Sequence, residues 1–291
     1  MHNIHIFHNT FMEISLKSDG VSSGIGISAL EARTDLAIEA AIAAGELLKR
    51  KLTGTRSVKV KGLRDLVTDA DVAAQHLILA RLQAAFPADV VLSEEGRHDV
   101  ALTTAAPTWV IDPLDGTSNY AHQIPMFAVS IGLLRHGRPV AGAIYDPLRR
   151  ELFFAEAGRG AFVRVGRGRP RRLTVSGVDQ LSEAMVASGW PREDELRAQA
   201  ARLLPRVGNA SHNLRLTGSA ALSLAYLAAG RLDASFHLAL QPWDVAAGAA
   251  LVLEAGGCLS ALDGSDWHIA APQVAASNGR VQAALTQLLA A

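Results

Sequence analysis

Cysteine is almost absent from this sequence: Cys258 is the single one in 291 residues. One cysteine cannot form an internal disulfide bond, and it has no second thiol with which to build a cysteine-based metal site. A fold held together by internal disulfide bonds is therefore excluded. This cysteine usage favours a reducing compartment, and we expect the protein to be cytoplasmic.

A net charge is absent as well, because 28 basic and 28 acidic residues give a formal net charge of +0. Without an excess of either sign, the chain has no bulk electrostatic attraction to nucleic acid or to anionic lipid. Long apolar runs are also missing: the longest stretch without a formal charge, residues 116–134, contains Ser118, Asn119 and Gln123. These polar groups would be costly in lipid, so we expect no membrane span. Because the net charge is zero, we also expect no nucleic-acid partner.

Residues 1–30 lack a sustained hydrophobic period, and His and Asn interrupt the apolar run that a secretory signal would need. We interpret them as a flexible N-terminal tail without a catalytic role. The chain as a whole is 49% hydrophobic, which is enough to bury a large core. We expect an α+β subdomain at 31–178 and an α/β subdomain at 179–291.

Beyond the tail, helical and strand patterns alternate, which indicates a mixed α/β fold built in layers. Helices are predicted at 33–51, from about 68 to 86, from about 193, at 219–229 and at 244–254. Strands are predicted at 90–92, 109–111, 128–134, 140–145, 184–187, 214–216 and 232–236. The second helix is expected to bury Val72, Leu79, Leu82 and Phe86, whose spacing keeps them on one face. Residues 158–172, rich in Gly and Arg, are expected to form surface turns.

The strongest local signal is the segment WVIDPLDGT at residues 109–117, in which an apolar strand runs directly into Asp112 and Asp115. Acids at the end of a buried strand project into a cleft and not back into the core. Gly116 allows the backbone to come close to a ligand. The amides of Gly116 and Thr117, at the start of a short helix, would suit a phosphate oxygen. The alternative is that both acids merely cap a turn, as an Asp before Gly often does.

Other acids occupy comparable positions at strand ends or helix starts, namely Asp71, Glu94, Glu95 and Asp244. Acidic side chains that meet without cations repel one another, so a metal cluster would explain their number. The ligands would all be oxygen atoms, because no Cys and no His stands at ligand spacing. Such a set favours Mg²⁺ or Mn²⁺ over Zn²⁺.

Five short motifs, taken in order along the chain, resemble the motif set of the inositol monophosphatase family. They are DLVTDAD at 65–71, SEEG at 93–96, DPLDGTSNY at 112–120, PWDVAAG at 242–248 and EAGG at 254–257. The resemblance covers roughly residues 33–290. It implies a layered αβαβα sandwich of the sugar-phosphatase type, with the active site between two subdomains, and it implies a homodimer.

The resemblance further implies a site for up to three Mg²⁺ ions, with Mn²⁺ as a substitute. Glu94, Asp112 and the carbonyl oxygen of Leu114 match the ligands of the first ion. Asp112, Asp115 and Asp244 match those of the second ion. Glu94 would also help to hold a third.

The same resemblance assigns catalytic roles to Glu94, Thr117 and Asp71. Asp71 matches an acid that, together with Thr117, positions a water molecule near Glu94. The hypothesis is an in-line attack of this water on phosphorus, with one metal polarising the water and a second offsetting the charge on the leaving oxygen. No phosphoenzyme intermediate is needed.

The resemblance also implies contacts with the substrate, by Asp115, Gly116, Thr117, Gly218, Ser219, Ala220 and His237. His237 stands where inositol-specific members of the family usually have a Glu that contacts ring hydroxyls. An imidazole cannot accept two hydroxyl hydrogen bonds as a carboxylate does, so this position does not predict strict inositol specificity. The alternative is that His237 simply packs beside its neighbours in the chain. Lys59 or Lys61 is also a candidate to reach the site.

The expected function is Mg²⁺-dependent hydrolysis of a small polyol or sugar phosphate. Inositol 1-phosphate is the first expected substrate. Within the same superfamily, histidinol phosphate, fructose 1,6-bisphosphate and 3′-phosphoadenosine nucleotides are alternative substrates. A non-catalytic, metal-stabilised protein that binds a partner is the alternative from another class.

Overall fold

The computed structural model describes residues 27–52, 58–62, 65–96 and 98–290. The α-helices in these ranges are α1 (Ile27–Leu52), α2 (Asp69–Ala85), α3 (Thr117–Ala121), α4 (Asp194–Ala210), α5 (Ala220–Ala228), α6 (Pro242–Glu254) and α7 (Gln282–Ala290). The first strands are β1 (Val58–Gly62), β2 (Asp65–Thr68), β3 (Val90–Ser93), β4 (Thr108–Asp115), β5 (Ala128–Arg135), β6 (Arg138–Asp146), β7 (Glu151–Glu156), β8 (Gly160–Val165) and β9 (Arg171–Arg172). The later strands are β10 (Met185–Ser188), β11 (Asn213–Leu216), β12 (Ala234–His237), β13 (Cys258–Ser260) and β14 (Val274–Ser277).

The strands form two large sheets and one small ribbon. The larger sheet has the order β3-β4-β5-β6-β7-β8-β9. Within it, β3 and β4 are parallel and the other neighbours are antiparallel. The smaller sheet has the order β11-β10-β12-β14-β13 and is mixed. Strands β1 and β2 pair as a separate antiparallel ribbon.

Residue alternation along β4 shows how the layers form. Trp109 and Ile111 pack into one hydrophobic cluster with α1 and α2, whereas Val110 packs into another with α5 and α6. Successive side chains of a strand point to opposite faces, so helices cover both faces of the larger sheet. Helix α5 also contacts the smaller sheet, and α4 and α7 pack on that sheet as well. The layer order is therefore αβαβα, which confirms the predicted fold class.

Helix α6 lies unusually close to the larger sheet, because two glycines face it. A Cβ atom on Gly142 of β6 would lie 2.6 Å from the carbonyl oxygen of Ala247. A Cβ atom on Gly132 of β5 would lie 2.9 Å from the backbone nitrogen of the same residue. Because glycine has no side chain, these two positions allow the backbone of α6 to lie close to the sheet. This distance also sets the position of Asp244 near the start of α6.

Two element predictions need correction at their edges. Helix α1 begins at Ile27, so residues 27–30 of the predicted tail are helical, while residues 1–26 lie outside the described ranges. Residues 158–172 are not only turns, because 160–165 form β8 and pair with β7 along its length. Ala161 and Val163 alternate into the core there, and the surrounding Gly and Arg residues had hidden this strand period.

The predicted buried face of α2 is wrong for Val72, which is 40% exposed, although Leu82 is fully buried. Asp71 and Gln75 lie on the buried face instead, with Ala74 between them. Successive residues of an α-helix are about 100° apart around its axis. Val72 stands two residues before the buried Ala74, about 200° around the helix axis from it, and therefore faces solvent.

No helix among the described residues combines the length and the hydrophobicity that crossing a bilayer would need.

The close approach of α6 leads to a test by substitution. Gly142→Ala is expected to lower the free energy of unfolding by about 1–3 kcal/mol, because the new methyl group would overlap the backbone of α6. Gly177→Ala is the matched control: no atom lies within 4 Å of its added Cβ. The control should stay within about 0.5 kcal/mol of the parent protein in urea unfolding. Equal unfolding midpoints for the two variants would show that α6 does not rest on the sheet as described.

Candidate functional site

The end of β4 brings two acids to the same side of the chain. On a regular strand, residues three apart point to opposite faces. The pairing of β4 with β5 becomes irregular between Asp112 and Asp115, which allows both carboxylates to lie on the same side. The backbone N–H of Leu114 donates to Oδ1 of Asp112 at 2.9 Å and fixes that side chain.

A third acid comes from the start of α6. Asp244 lies in the first turn of this helix, and its Oδ2 accepts a hydrogen bond from the backbone N–H of Gln241 at 2.7 Å. One carboxylate oxygen from each of Asp112, Asp115 and Asp244 lies within 4.8 Å of the others. The structure therefore brings together three carboxylates from distant parts of the sequence, at a spacing that one metal ion could bridge.

Burial makes the negative charge of this cluster costly. Burial, together with the nearby charges of Glu94 and the other acids, raises the pKa of Asp112 well above its usual value. Burial likewise raises the pKa of Asp244, and the charges of Asp115 and Glu94 raise it further. Burial also raises the pKa of Asp115 to about 6, although hydrogen bonds oppose this shift. A cation bound among these oxygens would offset the repulsion.

Asp115 is held by the start of α5. The hydroxyl of Ser219 donates to Oδ2, the N–H of Ala220 donates to Oδ1 at 3.2 Å, and the N–H of Ala221 donates to Oδ2 at 3.1 Å. An ionised carboxylate has about four acceptor positions, so these donors leave room for one further partner. Ser219 and Ala220 were predicted as substrate contacts, and in the structure their donors orient Asp115.

Two glycines of the predicted substrate site meet through their backbones. Gly116 caps α3 with a φ of 89°, and a Cβ atom on it would lie 3.2 Å from the carbonyl oxygen of Gly218. Gly218 has a φ of 72°, and a Cβ atom there would lie 2.7 Å from Nδ2 of Asn119. Both positions favour Gly because of their left-handed backbone and because neighbouring atoms fill the space of a side chain.

Asp71 and Thr117 form a buried pair beside the cluster. The hydroxyl of Thr117 lies 3.3 Å from Oδ1 of Asp71 and 3.0 Å from the carbonyl oxygen of Leu114, so it can donate to either. The other oxygen of Asp71 accepts a hydrogen bond from the N–H of Thr68 at 2.8 Å. Burial raises the pKa of Asp71 to about 6. At neutral pH this carboxylate is mainly ionised, but it takes up a proton more readily than a surface Asp.

Glu94 lies in the turn directly after β3. Its backbone N–H donates to the carbonyl oxygen of Ile111 at 3.1 Å, which places it beside the strand that carries Asp112. Its charge contributes to the raised pKa values of Asp112 and Asp244, so the carboxylate lies near the cluster.

One supporting residue, Gln75, was missed by the sequence analysis. The side chain of Gln75 donates to the carbonyl oxygen of Glu95 at 2.8 Å and accepts a hydrogen bond from the hydroxyl of Ser93. Gln75 follows Asp71 by one helical turn on the same face of α2. A polar residue one turn after a candidate acid was the signal that could have revealed it.

His237 lies outside this group of hydrogen bonds. His237 is buried in β12, where its Nε2 lies 3.0 Å from the hydroxyl oxygen of Ser235. Burial lowers the pKa of His237 to about 4, so the ring is neutral at pH 7. The side chain of Lys59 is exposed on β1, and that of Lys61 falls outside the described residues.

Comparison with known proteins identifies the family. A sequence model of the inositol monophosphatase family matches residues 29–291. Inositol monophosphatase 2 of Solanum lycopersicum is 38% identical over 269 residues, which cover 89% of this chain and 98% of that protein. Nus factor SuhB of Pseudomonas aeruginosa is 40% identical over 258 residues, which cover 86% of this chain and 93% of that protein.

A solved structure agrees with these sequence matches. The extragenic suppressor protein suhB of Bartonella henselae has a TM-score of 0.82 and 36% identity, and the match covers 89% of this chain and 98% of that one. Sequence and fold therefore match over the same, nearly complete part of the chain. Together with the acidic cluster, these matches show that the chain belongs to the inositol monophosphatase family.

Proposed function

We propose that this protein is a phosphoric monoester hydrolase of the inositol monophosphatase type, which removes phosphate from a small polyol or sugar phosphate. The observation that carries the proposal is the convergence of Asp112, Asp115 and Asp244 beside the Asp71–Thr117 pair. In a member of this family, that arrangement supports metal-assisted hydrolysis of a phosphate ester.

The donor set fits Mg²⁺, because the converging groups are carboxylates with raised pKa values, two of them buried and one partly buried. The group contains no thiolate and no imidazole. The residues proposed to hold up to three ions, with Mn²⁺ as a substitute, are Glu94, Asp112, Leu114 through its carbonyl oxygen, Asp115 and Asp244. Mg²⁺ in this site would polarise the attacking water and offset the charge on the leaving oxygen.

The chain itself supplies the orientation and a proton acceptor. The hydroxyl of Thr117, held between Asp71 and the carbonyl oxygen of Leu114, is proposed to align the attacking water together with Glu94. Asp71 is mainly ionised at pH 7, so it can accept a proton passed on by Thr117. Gly116 is proposed to let the phosphate approach the backbone closely.

The substrate is proposed to be a small polyol phosphate, with inositol 1-phosphate first. His237 at the predicted ring-hydroxyl position is neutral and buried, which weakens the preference for inositol. Histidinol phosphate, fructose 1,6-bisphosphate and 3′-phosphoadenosine 5′-phosphate complete the panel that an assay must compare. A homodimer and a cytoplasmic location are proposed on family resemblance and cysteine usage alone.

A second candidate function is a non-catalytic role in which the folded protein binds a partner. One observation favours it: a relative that is 40% identical carries the name Nus factor SuhB, which does not describe a hydrolase. Phosphate release at background level from every panel substrate, by protein shown to have bound Mg²⁺, would favour this role over hydrolysis.

The first test of the proposed function is the panel assay with Asp112→Asn. With Mg²⁺ present, the parent protein should release phosphate from at least one panel substrate, and the variant should lose roughly a thousandfold or more in kcat. The variant keeps an acceptor oxygen for the N–H of Leu114, so its circular dichroism should match that of the parent. A variant that retained most of the activity would refute the assigned role of Asp112.

The pKa shifts predict how pH affects the metal-free protein. The pKa of Asp115 is about 6 in the folded state against an ordinary 3.8, so the folded state binds a proton more tightly. The contribution of this group to stability is therefore fully present below pH 3.8 and is lost as pH rises through about 6. We expect the melting temperature in EDTA to fall between pH 5 and pH 7.5, and Mg²⁺ to restore it at pH 7.5.

Removing one charge from the cluster should reduce that fall. Asp112→Asn should show a smaller decrease in melting temperature between pH 5 and pH 7.5 than the parent protein, because one repelling carboxylate is gone. Asp179→Asn, at an exposed position far along the chain, is the control and should behave like the parent. Identical pH profiles for all three proteins would mean that the carboxylates do not interact in the folded state.

The role of His237 can be tested by exchanging its chemistry. His237→Glu should raise kcat/KM for inositol 1-phosphate relative to histidinol phosphate by roughly tenfold, because a carboxylate accepts ring-hydroxyl hydrogen bonds. His237→Gln is the uncharged control of similar length and should change this ratio much less. If the Glu variant folds and its ratio equals that of the Gln variant, His237 does not contact the substrate.

A further inference from the structure

The Glu94 turn, defined as residues 93–96, is fastened to the protein from two sides. On one side it is tied to α2, because Gln75 binds both the carbonyl oxygen of Glu95 and the hydroxyl of Ser93. Gln75 is nearly fully buried and follows Asp71 on the same helix. This side of the turn is therefore linked to the helix that carries Asp71.

On the other side the turn is contacted by His98. The Nε2 atom of His98 lies 2.8 Å from the carbonyl oxygen of Glu94. A carbonyl oxygen can only accept, so Nε2 carries the proton and donates it. This hydrogen bond restrains the backbone of Glu94, the residue whose side chain is proposed to face the cluster.

The ring of His98 also packs on a fixed aromatic surface. Its centroid lies 5.0 Å from that of Trp243, with 31° between the ring planes. Trp243 is buried and directly precedes Asp244 in the first turn of α6. His98 thus connects the backbone of Glu94 to the helix start that carries Asp244.

Electrostatics explain why such a connection is needed. The charge of Glu94 raises the pKa of both Asp112 and Asp244, so these carboxylates repel Glu94 when no cation lies between them. Glu94 stands on a turn between β3 and a loop, and repulsion would push that turn outward. A tether on each side opposes this movement and keeps the fourth carboxylate in place.

We propose that His98 is a positioning residue, which holds the Glu94 turn against Trp243 and so keeps the Glu94 carboxylate beside Asp112, Asp115 and Asp244. The inference rests on the proposed metal site and adds to it a residue outside the family motifs. His98 is exposed, so its side chain can be exchanged without opening the hydrophobic core.

Metal binding measured by calorimetry tests the inference without any turnover. His98→Ala should weaken Mg²⁺ or Mn²⁺ binding roughly tenfold, as loss of a partner that orients a ligand does in other metal sites. His98→Gln keeps a donor without the ring, and His98→Phe keeps the ring without a donor. Each should restore part of the affinity. His212→Ala, at an exposed His before β11, is the matched control and should bind the metal like the parent.

Kinetics with the best panel substrate give a second readout. The Mg²⁺ concentration for half-maximal activity should rise in His98→Ala by the same factor as the dissociation constant. At saturating Mg²⁺, KM for the substrate should stay within about twofold of the parent value, since His98 acts on the metal site and not on the substrate.

Several outcomes would overturn the inference. It fails if His98→Ala binds the metal within about twofold of the parent, or if His98→Ala and His212→Ala weaken binding equally. If His98→Ala does not fold, the Gln and Phe variants decide: parent-like affinity in both overturns the inference, and weaker affinity in either supports it. A parent protein that binds Mg²⁺ but hydrolyses no panel substrate would refute only the proposed function.

Discussion

Mutual repulsion among buried carboxylates is the constraint on which the rest of this site depends. Asp112 and Asp115 are buried, Asp244 is partly buried, and the three lie close together, so burial already disfavours their ionised forms. Folding alone would not select such an arrangement, because each added negative charge lowers the stability of the metal-free protein. A proton at low pH, or a cation bound among the oxygens, would relieve this repulsion. Stability and metal affinity are therefore two measures of one electrostatic balance.

The scaffold reduces this repulsion by placing helix starts around the acids. Asp71 and Asp244 each occupy the first turn of a helix and accept a backbone hydrogen bond there, and Asp115 receives the N–H groups at the start of α5. The positive end of the helix dipole and the free N–H groups both stabilise a carboxylate at that position. Helices α2, α5 and α6 thus do more than cover the sheets, because their starts meet around the end of β4.

The sequence analysis predicted the local chemistry better than the long-range contacts. Asp112 and Asp115 could be recognised because an apolar strand leads directly into them. The alternation of elements predicted layers of helices and strands, whereas the αβαβα order came from the resemblance to the family. No local pattern predicts the irregular pairing of β4 with β5. Nor does one predict the hydrogen bond from Ser219 to Asp115, because these residues lie far apart in the chain. Val72 was misplaced for a related reason: hydrophobic spacing alone cannot reveal that a buried acid, Asp71, decides which face of α2 turns inward.

The central layer of the sandwich, helices α5 and α6 between the two sheets, governs when the site can come into being during synthesis. The carboxylates of the site and their hydrogen-bond donors are spread from Asp71 to Asp244. A nascent chain that has completed the larger sheet therefore still lacks Asp244, and it lacks the donors at the start of α5 that orient Asp115. Contacts of such long sequence separation form late, after most of the loop-closure entropy has been lost. A chain that has not yet released α6 from the ribosome therefore cannot assemble the full acidic cluster, and capture of a metal at the proposed site would mark a late stage of folding.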